Sequence, residues 1–366
     1  MKRRAFLAAA AAAGSSWWLP DLACARSRVT GSTGAAHAAG YDNLLILVEL
    51  KGGNDGLNTV VPFADPLYYR YRPRIAVPRN AAIALDERTA LHPSLAPLLP
   101  LWRAQQLAIV QGVGYAPPNL SHFRSTAIWE TASRADQYLR DGWLTRAFAR
   151  RPVPAWFAAD GFVIGSPERG PFAHGARVSI LRPADGQPVF NTAFPPGLFG
   201  ASVRTAMEAL RPNASALSAP MHGSGVAAIR LTMNGFDTHH DQPERHAALL
   251  AQFAAGMIAM RDALVELGRW DRTLIVTYSE FGRCVRENDG LGTDHGAAAA
   301  HFVAGGRVRG GLYGAAPRLA RVDGNGNLPV GVDFRRLYAT VLGPWWGLDA
   351  RAVLQHRFDP LPLLRA

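Results

Sequence analysis

Four short stretches place carboxylates and imidazoles where metal chemistry needs them: Asp55 in GGNDGLN, Asp237-Thr238-His239-His240, Glu280 in SEFGR, and Asp294-His295 in GTDHG. Each adjoins an apolar, β-branched run of the kind that forms a buried strand. In open α/β sheets, ligands bind outside the carboxyl ends of the parallel strands, so polar residues at those ends form the site. Carboxylates and imidazoles that converge without matching lysines repel one another unless cations sit among them. Their oxygen and nitrogen donors suit zinc, manganese or iron, and with fewer histidines magnesium or calcium. Histidines on one zinc ion, with carboxylates bridging to a second, would form the paired clamp that stabilises in-line displacement at phosphorus. Taken alone, Asp55 also reads as an Asx-turn residue. Arg283 either holds an anionic substrate group by a bidentate contact or pairs with Glu280.

Several elements must position these residues. Leu44 to Leu50, LLILVEL, reads as a central parallel strand, and the glycines after it present Asp55 at its carboxyl end. Leu107 to Gln111 is a second short strand, leading to Asn119-Leu120-Ser121-His122-Phe123, where a helix starts and Ser121 or Asn119 caps it. His92 and His122 read as structural hydrogen-bonding residues. Ser94 to Gln105 reads as a helix, and Cys284 as a buried small hydrophobe. Val226 to Met233 is a strand that ends at the Asp237 loop. Leu249, Phe253, Met257, Met260, Leu264 and Leu267 then form the stripe of a long helix before the strand Leu274 to Thr277. Strand, helix and strand make a βαβ unit with a right-handed crossover. Proline and glycine recur from 150 to 225, which predicts an insertion or cap over the sheet with a helix near Val203 to Leu210.

With 366 residues, 48% of them hydrophobic, the chain buries a sizeable core. The net charge of +11 is almost all arginine, since lysine occurs only at Lys2 and Lys51, and no basic block suits nucleic acid. The start, MKRRAFLAAAAAAGSSWWLPDLACARS, reads as an export signal over 1–25, and Arg3-Arg4-Ala5-Phe6-Leu7 is similar to the twin-arginine pattern. Residues 26–40 are a flexible lead-in, and 41–366 a single α/β domain. Removing the signal leaves Cys284 as the sole cysteine, so no intrachain disulfide forms, and no membrane span remains.

The segments LKGGNDGLNTVVP, LHPSLAPL, LSHF, FDTHHDQ, SEFGR and GTDHG occur in this order between Asn43 and Leu342. In this they resemble the bacterial domain-of-unknown-function family 1501, which is similar to the alkaline phosphatase and sulfatase superfamily. The resemblance implies an α/β fold, alkaline-phosphatase-like, with a doubly wound, mostly parallel sheet flanked by helices and two divalent metal ions. Zinc comes first among these, with manganese, magnesium, calcium or iron as alternatives. It implies metal ligands at Asp55, Asp237, His239 and His295 and a nucleophile at Ser121, at a helix amino terminus; the strand-end pattern adds Glu280 and Asp294 as candidate ligands and Arg283 as a candidate catalytic residue. The chain departs from the superfamily at Glu280-Phe281, where an aspartate-histidine pair is usual, and in the short spacing of Asp237-Thr238-His239; His240 or Asp294 would then have to compensate. The function implied is hydrolysis of phosphate or sulfate esters in the periplasm or outside the cell, on a small anionic ester or an envelope polymer. The alternative is a non-catalytic envelope protein that keeps the fold and binds a polymer or a protein partner.

Overall fold

The computed structural model describes residues 40–183, 190–211 and 223–365, so the export signal at 1–25 and all of the lead-in but Gly40 lie outside them. The central strand β1, Leu44–Lys51, is buried along all but its last residue. Its apolar residues do not alternate with polar ones because both faces are covered. Leu45 and Leu47 join a core containing Trp129, Trp143 and Trp346, and Leu44, Ile46 and Leu50 join a second core with Phe253, Met257 and Leu264.

The other strands of the main sheet are β2 (Leu107–Gly114), β3 (Phe157–Ile164), β4 (Val178–Leu181), β5 (Gly223–Asn234), β6 (Thr273–Tyr278), β7 (Ala298–Ala304), β8 (Gly311–Tyr313) and β9 (Val332–Asp333). Their order is β8-β2-β7-β6-β1-β5-β3-β4, with β9 on β2. The sheet is mixed and mostly parallel, flanked by helices, because only β7 runs against its neighbours β2 and β6. That reversal matters for the site. The segment before β7, with Asp294 and His295, reaches the same rim as the carboxyl ends of the parallel strands.

Of residues 150–225, those described join the main sheet and do not form a cap over it, and the helix expected near Val203 to Leu210 is present. They supply β3 and β4, which extend the parallel sheet beyond β5, and the helix Gly197–Ala209. The signal was weak for physical reasons. β3 carries Asp160 and Gly161, and a Cβ on Gly161 would lie 2.3 Å from the Phe172 ring, so a large neighbour fills the place of a side chain. The edge strand β4 is only partly covered and needs no apolar run. The helix expected over Ser94 to Gln105 is a 3-10 turn, Pro93–Leu98, followed by a short α-helix, Leu99–Arg103. Pro97 and Pro100 each lack an N–H, which favours this break.

Helix α1, His122–Thr131, follows β2, and the long helix α2, Gln242–Glu266, connects β5 to β6. By length and composition α2 could cross a membrane, but half of its most apolar window is buried, and Leu250, Phe253, Met257 and Leu264 pack on the sheet.

The central strands are tied by a buried charged cluster. Arg230 of β5 donates to Glu49 of β1 (2.7 Å), to the Tyr278 hydroxyl of β6 (2.9 Å) and to Glu130 of α1 (3.0 Å). Two carboxylates share one guanidinium. Burial raises the Glu130 pKa from 4.5 to about 7, the Arg230 charge opposing the shift and the Glu49 charge adding to it. Because folding raises this pKa, the folded chain keeps a proton that the unfolded chain releases, and stability falls as pH rises from about 4.5 to about 7. Glu130→Gln should remove that slope. Chemical denaturation at acid and alkaline pH should show the variant gaining on the wild type above pH 7, and an unchanged slope would contradict the assignment.

Candidate metal centre at the carboxyl rim of the sheet

The loops after β1 and β6 are locked together before any site residue is placed. Ser279 donates to the Leu50 carbonyl (2.6 Å) and accepts from the Asn54 amide (2.9 Å), and both Glu280 oxygens accept from the Gly52 amide (3.0 and 3.1 Å). Gly52 has φ +122, and a Cβ there would lie 2.3 Å from the Asp237 nitrogen, so only glycine lets the β1 loop meet the β5 loop. This close approach sets Asp237 beside Glu280.

Asp237 is the hub. Its Oδ1 accepts from Arg283 Nη2 (2.6 Å) and lies 3.1 Å from His239 Nε2 and 3.2 Å from His295 Nε2, while Oδ2 lies 3.4 Å from His122 Nε2. The two nitrogens of His239 and His295 are themselves 3.0 Å apart. His122, Asp237 and His295 have ligand atoms all within 4.8 Å of one another, and His239 joins them through the shorter contacts just given.

The outer nitrogens decide what these atoms are. His295 Nδ1 is 2.8 Å from the Leu120 carbonyl, which can only accept, so Nδ1 carries the proton and Nε2 a lone pair. His122 Nδ1 likewise donates to Glu280 Oε1 (2.8 Å), and His239 Nδ1 faces Asp294 Oδ1 at 3.4 Å. The Nε2 lone pairs therefore point at one another and at a carboxylate. Such a set of acceptors is complementary to a cation. In a tetrahedral zinc site with bonds of about 2.0–2.1 Å, neighbouring ligands are roughly 3.3 Å apart, close to the 3.0–3.2 Å edges between Asp237, His239 and His295. Each Nδ1 partner is the kind of outer group that orients a metal-binding histidine.

The local electrostatics hold Asp237 charged and His295 neutral, while at His122 the Glu280 hydrogen bond favours the protonated ring, whose Nε2 proton a bound cation would have to displace. Partial burial pushes the Asp237 carboxyl up, but the hydrogen bond and charge of Arg283 overcome it and hold the pKa down at about 2. Asp237 is thus an anion at any ordinary pH. The hydrogen bond to Glu280 raises His122, and burial lowers His295 and favours its neutral form. Glu280→Gln keeps the shape but loses the charge that holds His122. Chelator competition should then show metal affinity about 10- to 100-fold weaker, and unchanged affinity would remove His122 from the ligand set.

The structure brings Asp237, His239 and His295 together, with Glu280 against His122 Nδ1 and Asp294 facing His239 Nδ1. Asp55 is a correction. It is buried; Oδ1 caps the short helix Gly56–Thr59, and Oδ2 pairs with Arg72 (2.6 Å) and accepts from Gln242. Both oxygens are engaged, which removes a carboxylate from the expected second ion. Among the described residues, one ligand group is gathered.

Arg283 is also corrected. Its buried guanidinium donates to the carbonyls of Gly53 (2.7 Å), Thr293 (2.8 Å), Gly52 and Phe236 (2.9 Å) and to Asp237, so it pairs with Asp237 instead of Glu280 and its donors are spent inside the protein. It positions Asp237. His240 lies on the surface against Gly290. Ser121 is exposed at the N-cap of α1, and its hydroxyl makes no capping bond, unlike the expected cap. His122 was read as structural, yet it faces the hub; the signal was its place beside Ser121 at the end of a strand-to-helix loop.

Comparison with known proteins finds a family match over part of the chain. Residues 208–357 match the model of a family described as "Protein of unknown function (DUF1501)", the family that the motifs resemble. No curated protein matches the sequence. Among solved structures, the lipoteichoic acid synthase LtaP from Listeria monocytogenes is similar at 10% identity and a TM-score of 0.42, over 85% of this chain and 73% of that one. The zinc complex of the carboxyl-terminal periplasmic domain of EcEptC from Escherichia coli is similar at 11% identity and a TM-score of 0.38, over 74% of each chain. A protein in the alkaline phosphatase superfamily from Vibrio parahaemolyticus is similar at 11% identity and a TM-score of 0.37, over 74% of this chain and 62% of that one.

Proposed function

We propose that this chain is an exported hydrolase of phosphate or sulfate esters that uses a divalent metal ion, zinc first among the candidates. The observation that carries the reading is the convergence of His239 Nε2, His295 Nε2 and Asp237 Oδ1 within 3.2 Å of one another. Asp237, His239 and His295 would hold the ion, with His122 as a fourth ligand, and Glu280, Asp294 and the Leu120 carbonyl would fix the imidazoles. When bound, such an ion polarises an ester oxygen and stabilises the charge that develops on it. The first-turn amides of α1 offer donors to an anionic ester, and the helix dipole favours negative charge at that end. Ser121, exposed at the same helix end, is the candidate nucleophile: its oxygen would attack phosphorus or sulfur, the alcohol would leave, and water would release the product. The amino-terminal pattern supports action in the periplasm or outside the cell, on a small anionic ester or an envelope polymer.

The engagement of Asp55 by Arg72 favours a second reading, a non-catalytic envelope protein that keeps one metal ion. Turnover of aryl phosphate and aryl sulfate by the folded, metal-loaded protein separates the two. Turnover that is lost on chelation and restored by zinc supports the hydrolase. Binding of an envelope polymer with metal bound and no turnover supports the second reading.

A further inference from the structure

A cavity of about 450 Å³ opens beside the Gly56–Thr59 turn, with Gly56 and Leu57 in its wall, and nothing in the reading above uses it. Its walls are mostly apolar, with Leu57, Val60, Ala299, Ala300, Leu328 and Val330 among them. Two features are polar. Arg318 and Arg321 line it, both exposed, and neither makes an ion pair among the described residues. Gln111 also lines it, only 4% exposed, and its carboxamide has no hydrogen-bond partner among the described residues.

The backbone is built to aim Gln111 there. In the pairing of β2 with β7, Ala299 faces Val113 and His301 faces Val110, so Gln111 and Gly112 stand opposite the single residue Ala300. This is a β-bulge with its glycine at φ +65, a device that redirects a side chain out of the regular pleat. A carboxamide with no protein partner at the cavity wall is free to pair with a bound molecule in place of water. The volume is in the range of pockets that enclose most of a small organic molecule.

We propose that this cavity binds a small amphipathic anion: a carboxylate at the arginine mouth, an aliphatic stem along the alanine and leucine wall, and a hydroxyl or carbonyl reaching Gln111. The exposed guanidiniums suit the charged end because they stay hydrated at the rim, and the buried carboxamide suits a neutral donor or acceptor. The site is separate from the candidate metal centre and does not depend on its chemistry.

Calorimetry on the full chain tests this with ω-hydroxycarboxylates of six to twelve carbons, the matching plain carboxylates and the matching diols. At least one hydroxycarboxylate should bind saturably at one site, more tightly than its plain carboxylate or its diol. Arg318→Ala with Arg321→Ala should weaken the carboxylates about tenfold or more and leave the diols unchanged. Gln111→Leu should erase the preference for the hydroxyl while plain carboxylates still bind, which also shows that the variant is folded. Binding should persist in His295→Ala. The assignment is overturned if no member of the series saturates, if the arginine pair has no effect, or if His295→Ala abolishes binding.

Discussion

Alanine in place of Ser121 should leave the metal bound and lower turnover of an aryl phosphate or sulfate by on the order of 10⁴- to 10⁶-fold, the scale set by removing a nucleophile from other covalent catalysts. The hydroxyl is exposed and makes no capping hydrogen bond, so its loss takes nothing from the fold. Residual turnover would come from the ion and the helix amides, which still bind and polarise the ester. Single-turnover kinetics with metal content measured on the same sample checks both halves. A variant that keeps full turnover would assign the attack to water, and one that loses the metal would make Ser121 part of the ion's setting.

Methionine in place of Arg72 should cost the fold about 3–5 kcal/mol, because it leaves a buried carboxylate without its counter-charge. Arg72 and Asp55 are both essentially inaccessible, and Arg72 also donates to Asn58 Oδ1 (2.7 Å) and to the Val285 and Cys284 carbonyls (2.9 Å each). Methionine fills much of the space and restores none of these bonds. Urea denaturation should show the loss at neutral pH. Because Arg72 and Gln242 hold the native Asp55 pKa below its ordinary range, the native pair stabilises above that range and loses its contribution as pH falls through the lowered value. A loss below about 1 kcal/mol would mean that Asp55 is neutralised by something else, and the metal reading of Asp55 would then return.

The two most buried kinds of information were legible in the sequence. β1, β5 and β6 are buried along most of their described residues and α2 packs one stripe on the sheet, so they carry near-continuous apolar runs or a clear stripe, and the strand ends pointed to the Asp237–His239 loop at the rim. Other features depend on partners distant in sequence. A buried aspartate after a strand looks the same whether an arginine or a metal neutralises it, and Arg72 lies 17 residues from Asp55. Arg283 reads as a free cation until the carbonyls of Gly52, Gly53, Phe236 and Thr293 are seen around it. The reversed direction of β7, which alone puts His295 at the rim, has no local signal. His122 went unassigned as a ligand for a related reason: its role is set by Glu280, 158 positions away.

Elemental analysis of the folded protein after loading with zinc and exhaustive dialysis bears most directly on the metal centre. One equivalent of zinc should remain, and His239→Ala and His295→Ala should each release it while the fold persists by circular dichroism. Wild-type protein that retains no metal, or histidine variants that retain a full equivalent, would contradict it.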